Sequence, residues 1–182
     1  MRKIFRKIRN KIIMQKSIDD LIKDGLVVGK NFSAQKNCTI DPSHCWLICI
    51  GDDVTFSFNV TLLAHDSSTK KPLGYTKIGK INIGNNVFVG ANTTILPNVY
   101  IGNNVIIGAN SVVTKNIENN SVVAGNPAKK ICTYEEYIQK YQELLSKSKP
   151  YDEKYTKRNK NITSEIKKQM NEELDKKIGF VE

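Results

Sequence analysis

The amino-acid sequence predicts a mainly β protein, in which a parallel β-helix carries α-helical segments at both ends. Two observations support this prediction. From residue 83 the sequence repeats with a period of six, and six consecutive hexads begin with an aliphatic residue: Ile83, Val89, Ile95, Ile101, Ile107 and Val113. Outside the repeat, apolar residues recur at the spacing of amphipathic helices. Short repeats stack into a solenoid because each can bury its apolar face only against its neighbours.

The same six-residue phase is present earlier in the chain. It runs from Val28 through Ala34 to Ile40, slips near Trp46, and resumes at Ile50, Phe56 and Leu62. Gly, Asn and Asp cluster between the aliphatic positions, where tight bends favour residues that tolerate left-handed backbone angles. Each hexad therefore predicts one short strand followed by one corner.

The repeat divides the chain into three predicted parts: N-terminal helices over residues 1–25, the β-helix over residues 26–131, and a helical extension over residues 132–182. In the first part Ser17 is the expected N-cap of a helix that stops at Gly25. Residues 1–16 carry seven Lys or Arg and no acidic residue. This basic helix either packs on the solenoid or makes weak contact with an anionic membrane surface through residues 2–16.

The last part contains two apolar stripes at helical spacing. Thr133 and Glu136 form a capping box that opens the first helix, and Pro150 is expected to end that segment. The second stripe is narrow, so its helix needs a partner surface. Its members are Ile162, Ile166, Met170, Leu174 and Ile178.

Composition limits the location of the protein and its partners. No apolar run approaches the ~20 residues that cross a bilayer, and Arg2, Lys3 and Arg6 interrupt any secretory signal. The predicted location is the cytoplasm, with the inner face of the membrane as the place where the basic helix would act. The net charge is +10, but no nucleic-acid-binding motif accompanies it, so no nucleic-acid partner is expected.

The histidines point to the chemistry. There are only two, His44 and His65, which argues against a three-histidine zinc site, and no metal is expected. The hexads break after Leu62 and restart at Ile78, so His65 lies at the exit of a coil and at the base of a polar loop. A solenoid that ejects a loop at one point usually does so for function. His65 is therefore a candidate catalytic base, with a structural histidine as the alternative, whereas His44 is expected to be structural or to line the substrate.

Three segments carry a family resemblance. Residues 81–91, residues 105–115 and the run Ser121-Val-Val-Ala-Gly-Asn-Pro-Ala-Lys129 resemble the hexapeptide-repeat acetyltransferases, over residues 26–131 as a whole. Within that family the chain is most similar to the maltose, galactoside and surface-polysaccharide O-acetyltransferases. The resemblance implies left-handed winding, a homotrimer, and acetyl-CoA as the acetyl donor in a groove between neighbouring β-helices.

The same resemblance implies a role for individual positions. His65 matches the catalytic histidine. Ala91 and Ala109 match small residues along the pantetheine arm, and Thr114 and Lys115 match residues near the nucleotide end of the donor. The basic residues expected at its phosphates are Lys129 and Lys130, and the residues that match acceptor-binding positions are Asn37 and Asp41.

One departure concerns the acceptor. Asp66 stands where the maltose and galactoside enzymes carry Pro, and a His-Asp pair is more typical of the surface-polysaccharide relatives. Asp66 could orient either an acceptor hydroxyl or the imidazole. The predicted function is acetyl-CoA-dependent O-acetylation of a sugar or sugar nucleotide that belongs to a bacterial surface polysaccharide or its precursor. The alternatives are N-acetylation of an amino sugar or other small amine, and a non-catalytic β-helical scaffold.

Overall fold

The computed structural model describes residues 16–159 and 161–182. Within these ranges, residues 16–134 belong to one compact unit and residues 135–182 form a second. The predicted helix over residues 2–16 and its membrane contact fall, except for residue 16, outside the described residues. The predicted domain boundaries stay predictions.

The first unit is the left-handed parallel β-helix that the sequence predicts. Its strands stack coil upon coil into three sheets. One sheet contains β1 (Val27–Val28), β4 (Ile48–Ile50), β9 (Ile81–Ile83) and β12 (Val99–Ile101). The second contains β2 (Ser33–Ala34), β5 (Val54–Phe56), β10 (Val87–Val89), β13 (Val105–Ile107), β15 (Ser121–Ala124) and the antiparallel β16 (Lys129–Thr133). The third contains β3 (Thr39–Ile40), β6 (Thr61–Leu62), β11 (Thr94–Ile95) and β14 (Val112–Val113).

The first residue of each hexad lies in the core. Ile83 pairs with Ile101, Val89 with Ile107 and Ile95 with Val113, so side chains of one coil stack on those of the next. The core positions are at most 3% exposed from Ile83 to Val113. Two polar residues share this interior at the fifth position of a hexad, and both are hydrogen-bonded: the hydroxyls of Thr93 and Ser111 donate to the Gly108 carbonyl at 3.2 and 2.6 Å. Parallel register therefore follows directly from the spacing of the aliphatic residues.

Two segments leave the repeat. The first is a short 3₁₀ helix, Cys45–Leu47, at the place where the sequence pattern slips. The second is a hairpin formed by β7 (His65–Asp66) and β8 (Lys77–Ile78), which pair antiparallel and enclose a 3₁₀ turn, Ser67–Thr69, and the short helix α2 (Lys70–Leu73). Before the solenoid, helix α1 (Ile18–Lys23) confirms the predicted start and stop: the Ser17 hydroxyl accepts the Asp20 N–H, and Gly25 follows with a φ of 105°.

Asparagine side chains hold the corners. In the solenoid the non-glycine residues with positive φ are all Asn or Asp, with φ between 53° and 64°. Side chains at equivalent corners bond to one another along the axis: Asn86 donates to Asn104 at 2.8 Å, and Asn104 donates to Asn120 at 2.9 Å. Asn and Asp enter the left-handed region more readily than other residues with a side chain. Most corner residues therefore supply both the bend and a link to the next coil.

The second unit contains most of helix α3 (Tyr134–Ser146), which begins at the last residue of the first unit. It continues with a 3₁₀ turn, Glu153–Tyr155, and helix α4 (Ser164–Glu173), capped by the Thr163 hydroxyl. The first helix ends four residues before Pro150. The last one is shorter than its apolar stripe, because Ile162, Leu174 and Ile178 lie outside it. Among the described residues, no helix is long and apolar enough to cross a membrane.

The corner ladder gives the first prediction. Asn104→Ala places a β-carbon at a φ of 53° and removes both ladder hydrogen bonds, so we expect the free energy of unfolding to fall by about 2–3 kcal/mol. Asn104→Gly loses the same hydrogen bonds without the backbone strain, so its loss should be about 1 kcal/mol smaller. Chemical denaturation at one fixed protein concentration measures both. A Gly variant no more stable than the Ala variant would contradict this account of the corners.

Candidate active site

Both irregular segments begin at the same corner of the solenoid. β3 and β6 are neighbours in one sheet, with Ile40 paired to Leu62, and the Asp41 N–H donates to the Leu62 carbonyl at 3.0 Å. After Asp41 the chain leaves the repeat towards the 3₁₀ helix, and after Ala64 it leaves towards the β7–β8 hairpin. The parallel register therefore brings Asp41 and His65 together although they are 24 residues apart in the sequence.

The carboxylate of Asp41 is buried and fully engaged. Asp41 is 1% exposed, and one of its oxygens is hydrogen-bonded to Nδ1 of His65. The same oxygen accepts the Ala64 N–H at 3.0 Å, and the other oxygen accepts the Ser43 N–H at 3.0 Å. Because the carboxylate attracts a proton onto Nδ1, the Nε2 of the half-buried His65 ring retains its lone pair. This arrangement can accept a proton from a bound molecule.

Asp66 contacts a different set of groups from its neighbour His65. Its carboxylate pairs with the Lys77 ammonium at 2.6 Å and accepts the Ser68 N–H at 2.8 Å. The Lys77 ammonium, together with the Ser68 N–H, holds the pKa of the Asp66 carboxyl at about 2, below its ordinary value of 3.8. The sequence left two roles open for Asp66, namely orienting an acceptor hydroxyl or orienting the imidazole, and this geometry supports neither. Instead, the side chain joins the two strands at the base of the hairpin that begins at His65.

An aromatic row extends from His65. The His44 ring centroid lies 5.3 Å from that of His65 and 5.3 Å from that of Trp46. Nδ1 of His44 is buried and has no hydrogen-bond partner among the described residues. Trp46 is 56% exposed. The sequence places His44 near the substrate only as one of two alternatives, and it offers no role for Trp46. The slip in the hexads over residues 42–47 is the one signal that marks this segment.

Asp41, His44 and His65 could also be considered as metal ligands, since each offers one donor atom within 4.8 Å of the others. Three protein ligands is the number found in catalytic zinc sites. However, both carboxylate oxygens of Asp41 already accept backbone N–H groups, and one of them also holds Nδ1 of His65. These hydrogen bonds suit a positioned imidazole better than a metal centre.

The two small residues predicted for the donor stack on one another. Ala91 and Ala109 occupy the same corner in successive coils, and the Asn110 N–H donates to the Ala91 carbonyl at 2.8 Å. The preceding Gly90 allows this close stacking, because a β-carbon there would lie 2.5 Å from the Ala109 nitrogen. Without long side chains at this corner, the main chain is open to a ligand.

The predicted basic residues are partly brought together. Lys115 and Lys130 line one cleft of about 180 Å³ at the C-terminal end of the solenoid, and Glu118 lines it as well. Thr114 directly precedes Lys115, and Lys129 lies on β16 opposite Ala124. Asn37 lies at the corner before β3, with a φ of 64°, whereas Asp41 follows the same strand at its other end. The exposed Asn37 is thus a corner residue, like the other solenoid asparagines with positive φ.

Comparison with known proteins adds three relatives. The family model described as bacterial transferase hexapeptide (six repeats) matches residues 80–115. The chain is 40% identical to Protein CapG of Staphylococcus aureus over 162 residues, which cover 85% of this chain and 92% of that protein. It also resembles the crystal structure of a maltose O-acetyltransferase from Clostridium difficile 630, with a TM-score of 0.53 and 26% identity over 71% of this chain and 84% of the other. A galactoside acetyltransferase in complex with coenzyme A gives a TM-score of 0.56 and 36% identity, over 63% of this chain and 58% of the other.

The Asp66–Lys77 pair predicts a protease-sensitive hairpin. Asp66→Asn removes the ion pair and weakens the cap at Ser68, so tryptic cleavage after Lys70 should accelerate by a few-fold, on the order of 2–10. Because the pKa of Asp66 is lowered in the folded protein, the pairing is present above about pH 4 and is lost as the pH falls towards about 2. Fragment mapping at neutral pH measures the cleavage rate.

Asp152→Asn is the matched control. Asp152 caps a 3₁₀ turn and pairs with a lysine in the same way, but in the second unit. It should leave cleavage after Lys70 unchanged. An unchanged rate at Lys70 in Asp66→Asn would show that the ion pair does not close the hairpin.

Proposed function

Because this chain belongs to the hexapeptide-repeat acetyltransferases, we propose that it transfers an acetyl group to a sugar hydroxyl of a surface polysaccharide or its precursor. Acetyl-CoA is the acetyl donor of this family. We assign the general base to His65 and the positioning of its imidazole to Asp41.

The observation that carries the proposal is the hydrogen bond between the buried Asp41 carboxylate and Nδ1 of His65. A buried carboxylate requires hydrogen-bonded partners to remain charged, and the Ala64 and Ser43 N–H groups supply them. The carboxylate in turn fixes the tautomer of the imidazole and stabilises the imidazolium that forms when Nε2 takes a proton. A buried carboxylate–imidazole pair beside the β7–β8 hairpin favours an enzyme over the alternative of a non-catalytic scaffold.

The proposed reaction is direct transfer with both substrates bound. Nε2 of His65 accepts the proton of the sugar hydroxyl as that oxygen attacks the thioester carbonyl, and the C–S bond then breaks. The protonated imidazole, held through Nδ1 by Asp41, gives its proton to the departing thiolate. A backbone N–H of a neighbouring coil is the proposed donor to the oxygen that becomes negative during the attack.

The donor is assigned to the corner of small residues and to the basic cleft. Ala91 and Ala109 leave room for the pantetheine arm to approach the main chain, while Lys115, Lys129 and Lys130 supply charge for the phosphates. Thr114 is assigned to the nucleotide end. As in the family resemblance, we propose a homotrimer whose neighbouring β-helices share the donor, and a cytoplasmic location where that donor is used.

The assignment of a sugar acceptor is supported by the similar proteins. Two solved relatives are named as a maltose O-acetyltransferase and a galactoside acetyltransferase. The His65-Asp66 pair, in place of His-Pro, favours a surface-polysaccharide sugar over a simple glycoside. Asn37 is the remaining acceptor-binding candidate. The test is release of free thiol from acetyl-CoA in the presence of nucleotide sugars, polysaccharide fragments and small amines. Reaction with amines alone would replace O-acetylation by N-acetylation.

The catalytic pair gives a direct prediction. His65→Ala should lower kcat by about 10²–10⁴-fold, because the attacking hydroxyl loses its base. Asp41→Asn should also lower kcat, by about 10²-fold or more, because an amide cannot hold the same tautomer. Both are measured by thiol release at saturating acetyl-CoA. Asp152→Asn, an exposed aspartate of the second unit, is the control and should keep full activity. Wild-type rates in His65→Ala would remove this residue from the mechanism.

The basic cleft gives a separate prediction. Lys115→Gln or Lys130→Gln should raise KM for acetyl-CoA by about tenfold and leave kcat nearly unchanged, since a charge-assisted contact to a phosphate is lost. Lys147→Gln, in the second unit, is the matched control. The effect should shrink when the donor lacks its 3′-phosphate. An unchanged KM in both variants would show that the phosphates of acetyl-CoA bind to another surface of the protein.

A further inference from the structure

The aromatic row beside His65 has no part in the proton transfer just described. The segment over residues 42–47 interrupts the solenoid repeat and places the His44 ring beside the His65 imidazole, with the Trp46 ring on His44 in turn. Isolated exposed apolar residues are common on protein surfaces. The exposed indole of Trp46 differs from such isolated residues, because it lies on a segment that breaks the repeat and contacts the ring that contacts His65.

The backbone beneath Trp46 is firmly anchored although its side chain is 56% exposed. The preceding Cys45 is fully buried, and the Leu47 N–H donates to the His44 carbonyl at 3.0 Å. Gly25 packs directly under Trp46, since a β-carbon at Gly25 would lie 2.9 Å from the Trp46 Cβ. The fold therefore presents the indole from a fixed position.

One nitrogen of the His44 ring can be assigned as a hydrogen-bond donor. Its Nδ1 is buried without a partner within residues 16–159 and 161–182, and a buried N–H without an acceptor is rarer in proteins than a buried acceptor without a donor. We therefore assign a ring proton to Nε2. This nitrogen can donate a hydrogen bond to a ligand hydroxyl or ring oxygen.

We propose that Trp46 and His44 form a sugar-binding subsite next to His65. The apolar C–H face of a pyranose stacks on the indole, as flat apolar surfaces do on aromatic rings, and Nε2 of His44 donates to an oxygen of the same ligand. His44 separates Trp46 from His65, so the stacked sugar is the neighbour of the sugar that is acetylated. This inference rests on the proposed sugar O-acetylation, and it makes the acceptor an oligosaccharide or polymer of at least two linked sugars.

The single tryptophan of the chain makes the subsite directly observable. The full-length His65→Ala protein is titrated with maltose and lactose, and with glucose and galactose as matched single-ring controls, while Trp46 fluorescence is recorded. Glucose and galactose rings each present an apolar C–H face that can stack on an indole, so these disaccharides are suitable probes. We expect a saturable change with the disaccharides at concentrations about tenfold below those for the monosaccharides. No saturable change, or equal affinity for one and two rings, overturns the proposal.

Kinetics on the otherwise wild-type enzyme provide the second test, with the acceptor that reacts in the thiol-release panel. Trp46→Ala should raise the acceptor KM by about tenfold with a much smaller change in kcat, and Trp46→Tyr should restore most of the affinity. The KM for acetyl-CoA should not move. Tyr100→Ala, which removes another exposed ring of the solenoid, is the control.

The outcomes separate this inference from the proposed function. If sugars are acetylated but Trp46→Ala keeps the wild-type acceptor KM, the subsite is wrong and the function stands. If no sugar is acetylated, the function fails, and the fluorescence titration still decides whether Trp46 binds sugars. If Trp46→Ala changes the oligomeric state in analytical ultracentrifugation, the indole belongs to an interface between copies of the chain, which overturns the subsite.

Discussion

The left-handed corner is the constraint on which this structure depends. A chain that turns after every few residues must enter a backbone region that most side chains avoid, and here asparagine and aspartate enter it at nearly every corner. Asparagine amides also bond from coil to coil, as along Asn86, Asn104 and Asn120. The corner residues thus fix the bend, and they support the axial register that the spacing of the aliphatic core positions sets.

Because the solenoid repeat is regular, the two segments that interrupt it are easy to identify. The residues after Ile40 and Leu62 are neighbours by register, and both strands are followed by segments that abandon the repeat. The first segment brings His44 and Trp46, and the second begins with His65. Because the site is built from two successive coils, the hydrogen-bonded strands of those coils fix the distances between its side chains. The imidazole is therefore positioned by the fold as a whole rather than by a flexible loop.

Electrostatics divides the two aspartates of this corner. Asp41 is buried, and its carboxylate accepts hydrogen bonds from backbone N–H groups and contacts Nδ1 of the His65 imidazole. Asp66 is partly exposed beside Lys77, and this ion pair joins the two strands of the hairpin at neutral pH and lowers the pKa of the Asp66 carboxyl. Adjacent sequence positions, His65 and Asp66, thus face different partners, while the distant Asp41 supplies the contact to the ring. The partner of the His65 ring is therefore the distant Asp41 and not the adjacent Asp66, so adjacency in the sequence did not predict which aspartate contacts the imidazole.

The sequence alone determined the architecture, because a six-residue period admits few structures and Asn, Asp or Gly marks nearly every bend. The register, the buried aliphatic positions, the cap at Ser17 and the exit of the chain at His65 all follow from local pattern. The donor residues remain sequence-based assignments, although Lys115 and Lys130 do share one cleft. Only the tertiary structure decided that Asp41 contacts His65 and that Trp46 stands in the same row. The physical reason is that such contacts join different coils, and periodicity along the chain carries no information about which side chains meet where two coils depart from the repeat.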